Sequence, residues 1–268
     1  MNQTAPQATS TPIAAHDGAP LLTRHHDNTW TVTLNRPAHH NRLDPADVTA
    51  LTALFETART EQPAALIITG AGARTFSSGY TLSALVSELD GRFEAMLDSL
   101  ETLPLLTIAA INGGLYGGAT DLALCCDIRL GVRGARMFMP AAKFGLHYYP
   151  GGLRRYVTRL GLPVASRLML TAMTMYDDEM LRVGYLHELL EPDQMAARVA
   201  EYRDSASAND PKVVAAMKAQ MQALAAHQND AERAALEQQM LQDHQASVKS
   251  TELAERVARH TAPAARKT

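Results

Sequence analysis

Cysteine is nearly missing from this chain: two in 268 residues, adjacent at Cys125 and Cys126 inside an apolar run. Neighbouring cysteines make poor disulfide partners, and the chain has no cysteine pattern at metal-ligand spacing. Buried, reduced thiols are therefore expected, not a disulfide framework or zinc site. His39 and His40 lack a third ligand at useful spacing, which removes them as a metal motif. Long runs of lysine or arginine are also missing, and the net charge is −3; this argues against nucleic-acid binding as the main role. No apolar stretch reaches membrane-spanning length, and residues 1–20 lack a basic segment followed by an apolar one. The expectation is a cytoplasmic protein that engages no membrane. The run GGLYGG is followed by neither the lysine nor the acidic residue that phosphate and dinucleotide fingerprints require.

What remains is ordinary globular material, 46% hydrophobic and 20% charged, enough for one substantial core. Residues 21–25 and 30–34 read as paired strands around a turn at Asp27 and Asn28, with TWTVTL alternating in period two. Asp44 before Pro45 is an N-cap followed by proline at the first helical position, and Val48, Leu51, Leu54 and Phe55 supply an apolar stripe. That helix should reach about Thr60, and residues 64–69 form the next buried strand. The order gives an α/β protein of repeated ββα-like units. Short helices are expected at 83–89 and 92–103, two more at 153–160 and 164–172, then a helix at 178–183 and a strand at 185–190 stopped by Pro192. From 193 to 260 there is helical periodicity only, broken at Asn209, Asp210 and Pro211 and again near Asn229. The division expected is a disordered extension at 1–20, a core at 21–192, a helical oligomerisation segment at 193–260 and a tail at 261–268. Met217, Met221 and Met240 are expected in core packing, with a cover over an acyl pocket or a subunit interface as the alternatives.

Residues 105–152 carry most of the chemistry. An apolar run at 105–111 suits a buried strand and is short for a helix. Gly113, Gly114, Gly117 and Gly118 then form a turn that lets backbone approach a ligand, followed by an apolar helix. The first amides of such a helix lack intrahelical partners and carry the positive end of the dipole, so they suit an oxygen gaining negative charge. Gly118 N–H is one candidate donor. An oxyanion hole normally needs two, and the strand and small-residue turn ending FSSGY at 76–80 offers the amide of Tyr80. Each stretch alone is also readable as a plain strand-to-helix turn.

With these pieces in place, the chain resembles the enoyl-CoA hydratase/isomerase (crotonase) superfamily. The matching segments are LNRPAHHNRL at 34–43, FSSGY at 76–80, INGGLYGGATDLALCCDIRL at 111–130 and the stretch from Pro140 that ends PGGLRRYVTRLG. The resemblance spans roughly residues 20–200. It implies a crotonase-like spiral core with a C-terminal helical segment, and a CoA thioester whose carbonyl oxygen is held by the amides of Tyr80 and Gly118. It also implies coenzyme A as part of the substrate with no permanently bound cofactor, and assembly as a homotrimer or dimer of trimers. Asn41, Arg42 and Leu43 match the loop whose backbone receives adenine, Arg74 falls where a lysine meets the CoA phosphates, and Ser78 belongs to the same binding set. A solvated loop arginine is the alternative for Arg74.

Departures from the family pattern shape the functional expectation. The resemblance places hydratase glutamates at Asp121 and at Ala141, directly after Pro140. Adding water across a double bond needs groups that activate water and deliver a proton, so the pair found here is short of parts. Asp121 reads as base or proton relay, or as a helix cap. Tyr148 falls where a related methylmalonyl-CoA decarboxylase has tyrosine, which makes it a candidate donor to a carboxylate or enolate, or an aromatic wall beside Pro150. His147 is either a further proton-handling group or a loop histidine bonded to backbone. The expected function is enolate chemistry on an acyl-CoA: decarboxylation, C–C cleavage, hydrolysis or isomerisation. Enoyl-CoA hydration and a catalytically inactive acyl-CoA-binding scaffold are the alternatives.

Overall fold

The computed structural model of the protein describes residues 9–87, 90–226, 238, 241–242, 244–246 and 248–261. Its strands are β1 (Ser10–Pro12), β2 (Leu21–Arg24), β3 (Thr29–Leu34), β4 (Ala65–Gly70), β5 (Thr75–Ser77), β6 (Leu106–Ile111), β7 (Gly114–Tyr116), β8 (Ile128–Val132), β9 (Arg136–Phe138), β10 (Met175–Tyr176) and β11 (Glu188–Leu190). The helices are α1 (Pro45–Glu61), α2 (Ala84–Ser87), α3 (Gly91–Glu101), α4 (Gly118–Cys125), α5 (Ala141–Phe144), α6 (Pro150–Thr171), α7 (Asp177–Arg182), α8 (Met195–Ser207), α9 (Pro211–Ala226) and α10 (Thr251–Thr261).

Two sheets organise the chain. The larger runs β1-β2-β3-β4-β6-β8-β11 and the smaller β10-β9-β7-β5. Strands β3, β4, β6, β8 and β11 run parallel to one another in the large sheet, while β1 and β2 form an antiparallel edge beside β3. Three times the chain crosses the large sheet and then adds a short parallel strand to the small one: β4 to β5, β6 to β7, β8 to β9. A helix follows each time, which is the expected spiral of ββα units. The stripe of α1 is buried as expected, at Val48, Leu51, Leu54 and Phe55, and Asp47 accepts the Asp44 N–H (2.8 Å) at its start. Both cysteines are buried and free.

Several local expectations change. The segment taken as disordered up to residue 20 contains β1, which pairs with β2, and a buried Ala19; only residues 1–8 of it lie outside the described set. Hydrogen bonding to an exposed sheet edge orders a stretch whose composition gave no strand signal. The two helices expected at 153–160 and 164–172 are both present, divided at the non-helical Gly161 (φ 75°, ψ 157°) just before Pro163, but they abut without a loop and together make α6, which starts earlier, at Pro150. Strand β11 begins only at Glu188. Met217 and Met221 are exposed along α9 instead of packed in a core, and Met240 lies outside the described residues.

Candidate active site

The small sheet positions the site. Its three parallel strands all end at one cavity, where the turns after β5, β7 and β9 contribute Ser78 and Tyr80, Gly117 and Gly118, and Pro140 and Ala141. Ligands commonly sit beyond the carboxyl ends of parallel strands, because the loops there leave backbone amides and helix N-termini facing outward. The cavity has a volume of about 1250 Å³.

Gly118 is the first residue of α4, so its N–H has no acceptor within the helix. The turn carrying Tyr80 lies directly against it. Gly79 has φ +81°, and a Cβ there would stand 2.6 Å from the Tyr116 carbonyl and 2.8 Å from the Gly118 nitrogen, so only glycine lets these turns touch. The Tyr80 turn is held from behind by residues 40–43: Ser78 N–H donates to the His40 carbonyl (2.8 Å), Leu43 N–H to the Gly79 carbonyl (2.8 Å) and Thr81 N–H to the Leu43 carbonyl (2.9 Å). Phe93 of α3 packs edge-on to Tyr80, centroids 5.3 Å apart, above Gly118.

Beside these turns stand Tyr148 and Tyr149. Both line the cavity with their rings and direct their hydroxyls away from it onto Asp121. Tyr148 Oη donates to Asp121 Oδ2 (3.1 Å), Tyr149 Oη donates to the same oxygen, and the two hydroxyls are 2.9 Å apart. A Cβ on Gly152 would lie 2.3 Å from the Tyr148 ring and 2.9 Å from Asp121 Oδ2, so the second glycine of PGG is what admits this contact. Burial, and then the Asp121 charge, push both phenols well above the usual tyrosine range. They remain protonated donors.

Asp121 itself is fully buried within α4 and does not line the cavity. Arg155, also fully buried, donates to it twice (Nε to Oδ1 2.9 Å, Nη2 to Oδ2 3.2 Å) and reaches Asp98 (2.6 Å) and Glu101 (3.0 Å) through Nη1. Arg154 and Arg159 complete the cluster on Glu101. Burial, the largest influence on Arg155, opposes its charge, but Asp121 and the other neighbours together raise its pKa. For Glu101 burial is again largest and works upward, yet the three arginines bring the carboxyl below its ordinary value. Arg155 thus draws Asp121 inward, and two tyrosines close it off from the cavity.

The remaining expected residues divide. Tyr80, Gly118, Arg74, Ser78 and Tyr148 line the cavity; His147, Asn41, Arg42 and Leu43 do not. His147 presents its main-chain oxygen to His244 Nδ1 (2.6 Å). The buried Asn41 amide donates to the carbonyls of Ala71 (2.9 Å) and Thr75 (2.8 Å), its main-chain oxygen accepts from Ser77 Oγ (2.7 Å), and Arg42 pairs with Asp44 (3.1 Å). These loop groups brace the Tyr80 turn from outside the cavity lining. Sequence reasoning missed His40, Arg136, Lys143, Tyr149, His244, Arg256 and Arg259, which all line the cavity. Of these only Tyr149 carried a signal, as the second tyrosine of YYPGG. Among the described residues the cavity lining holds five lysine and arginine side chains and no aspartate or glutamate.

A spiral of ββα units whose parallel strand ends converge on a basic cavity defines a crotonase-type acyl-CoA enzyme. The chain belongs to the enoyl-CoA hydratase/isomerase family, whose model matches residues 24–259. It is 30% identical over 191 residues to the short-chain-enoyl-CoA hydratase of Clostridium acetobutylicum, covering 68% of this chain and 73% of that one. The structure is similar to an enoyl-CoA hydratase from Bacillus halodurans (TM-score 0.76, 26% identity, 90% of this chain and 99% of that one). It also shares its fold with a methylmalonyl-CoA decarboxylase in complex with 2-nitronate-propionyl-CoA (TM-score 0.77, 17% identity, 87% and 92%). No described helix is long and apolar enough to cross a membrane.

Proposed function

We propose that this protein acts on a CoA thioester through an enolate whose oxygen is held by the amides of Tyr80 and Gly118. The reaction classes are decarboxylation, C–C cleavage, thioester hydrolysis or double-bond isomerisation, not plain hydration. One observation carries this reading: the cavity lining among the described residues contains no carboxylate, and Asp121, where the resemblance places the first glutamate, is sealed behind Tyr148 and Tyr149 by Arg155. Ala141 stands in the lining where the resemblance places the second glutamate, so the paired acid and base of a carboxylate-driven hydration are missing. Arg74, Arg136, Lys143, Arg256 and Arg259 suit the phosphates of coenzyme A, which enters as part of the substrate.

The names of the relatives favour hydration as the second reading. Crotonyl-CoA decides between them: hydration with kcat at or above roughly 10 per second would remove the enolate-only reading, and its absence alongside acyl-CoA binding supports it. Assembly as a homotrimer or dimer of trimers is part of the proposal. Val213, Met217, Met221 and Leu224 leave an exposed apolar stripe on α9 that a symmetric neighbour would cover. A monomer at micromolar concentration by light scattering would contradict it.

A further inference from the structure

We infer that Arg36 is a positioning residue for the Tyr80 amide, and that the N-terminal segment 13–20 holds Arg36 to that task by lying across it. This rests on the reading above, in which the Tyr80 N–H holds the thioester oxygen. A trans peptide is planar, so its N–H points opposite to its own carbonyl, and the described residues include no cis peptide. The Tyr80 N–H belongs to the same peptide unit as the Gly79 carbonyl, which accepts the Leu43 N–H (2.8 Å). Leu43 stands outside the cavity lining and Tyr80 within it. Whatever fixes the Leu43 N–H therefore aims the Tyr80 N–H at the cavity.

The Leu43 N–H is itself one end of the peptide whose carbonyl, that of Arg42, accepts from Arg36 Nη1 (3.4 Å). Two peptide units thus stand head to tail between the guanidinium and the proposed oxyanion site. Each accepts at its oxygen and donates at its N–H, and in such a chain every bond polarises the next in the donating direction.

Arg36 is built in from two sides. On its own loop, its N–H donates to Asn41 Oδ1 (3.0 Å), its carbonyl accepts the Asn41 N–H (2.8 Å), and its guanidinium pairs with Asp44 (3.4 Å) and Asp47. Against its other side lies the segment between β1 and β2. Arg36 Nη2 donates to the Asp17 carbonyl (3.1 Å), His16 Nε2 donates to the other oxygen of Asp47 (2.6 Å), and a Cβ on Gly18 (φ +69°) would stand 2.6 Å from Arg36 Cγ. The segment is tied to itself by Ile13 N–H on the Pro20 carbonyl (2.9 Å) and Ala19 N–H on the His16 carbonyl (3.2 Å). This cover leaves the Arg36 side chain 9% exposed and Asp47 fully buried. An ion pair in open water fixes little, because solvent screens it; with water excluded the same pair holds a geometry. Only a guanidinium has directed donors enough to take Asp47, the Arg42 carbonyl and the Asp17 carbonyl together.

The test is infrared spectroscopy of butyryl-CoA, isotope-labelled at the thioester carbonyl carbon and bound to the full chain. Hydrogen bonds to that oxygen weaken the C=O bond and lower its stretching frequency, so the shift reads the aim of the donors without turnover. The wild type should show a downshift relative to the free thioester. Arg36→Lys keeps a charge for Asp47 but loses the fork; Gly18→Ala lifts the segment from Arg36 by adding a Cβ at a positive φ. With two donors on one oxygen, misaiming one should remove roughly half of the downshift in each variant. Thioester affinity should fall by no more than about fivefold, the weight of one ordinary hydrogen bond. A merely structural role would lower the melting temperature and leave the frequency in place. The full downshift in either variant overturns the assignment and leaves the oxyanion reading standing. Loss of thioester binding in both also overturns it, because Arg36 would then support the cavity as a whole. Binding to the wild type with no downshift overturns the assignment and the oxyanion reading together.

Discussion

Two regions a few ångströms apart treat charge in opposite ways. The cavity exposes cations and amide donors and, among the described residues, no carboxylate; behind Tyr148 and Tyr149, Asp98, Glu101 and Asp121 are gathered around Arg154, Arg155 and Arg159. A buried carboxylate locked to a guanidinium is a poor base, because removing its charge would leave the arginine uncompensated in a medium of low dielectric. Each tyrosine of the pair spends its hydroxyl on Asp121, so the sequestered charge fixes the two rings in the wall. The same acidic residue type at the same place on α4 can therefore serve orientation instead of proton transfer, depending on whether an arginine stands behind it.

Breaking the rear region should have the largest effect. Arg155→Met leaves Asp121 and Glu101 buried without their main partner, and truncating one side of a buried ion pair typically costs about 3–5 kcal/mol. Denaturant melts would show that loss. Asp121→Asn should behave alike to a lesser degree, with stability suffering before kcat. If Asp121→Asn instead folds with unchanged stability while kcat collapses, Asp121 is the base and the separation between the two regions fails.

On the cavity side, Gly118→Pro deletes the proposed amide donor at a helix position that tolerates proline, and should lower kcat by about 10²- to 10³-fold. Gly118→Ala is the control, since it keeps the N–H and adds only the Cβ that meets Phe93 Cζ at 2.6 Å. Equal losses in the two variants would assign the effect to Phe93 packing. Tyr148→Phe removes one of the two hydroxyls on Asp121 and should cost about tenfold in kcat, in line with roughly 1.5 kcal/mol for one hydrogen bond. Tyr149→Phe sharpens the comparison: if the pair works as one oriented unit, the double variant should lose less than the product of the single losses.

How much of this was legible follows from what each residue signals locally. The turns proposed to hold the oxyanion were readable because glycines in INGGLYGG and FSSGY interrupt apolar runs, and Tyr148 was readable within HYYPGG. The small sheet was not, since TFS, GLY and RMF are too short for any period to appear. Asp121 read as a base because its spacing to the glycines is local, whereas Arg155, which disarms it, lies 34 positions away. Apart from Arg74, the basic lining was hidden for the same reason, with Arg136, Lys143 and the pair Arg256 and Arg259 arriving from three separate elements. His244 sits in a polar run whose sequence neighbours say nothing of a cavity.

A second buried arginine environment provides the smallest test. Arg129, like Arg155, is buried, but its guanidinium meets the carbonyls of Tyr185 (2.5 Å), Cys126 (2.8 Å) and Gly184 (3.4 Å) rather than carboxylates. Its charge is therefore felt by His187, whose Nδ1 accepts the Arg129 main-chain N–H (3.0 Å). Burial first, and the Arg129 charge second, bring the His187 pKa from 6.5 down to about 4. The native state thus binds this proton less readily than the unfolded chain. Stability is fully present above pH 6.5 and is lost as pH falls from there through about 4. Much of the residue is exposed, so solvent screening reduces the effect to about 1 kcal/mol between pH 7 and pH 5. His187→Asn retains an acceptor for the Arg129 N–H and cannot titrate. The difference in unfolding free energy between wild type and variant should accordingly shift against the wild type by that amount over this interval. Both proteins carry the same carboxylates, so those groups largely cancel in the difference. A pH-independent difference would mean that the carbonyl nest screens Arg129 as completely as the carboxylates screen Arg155.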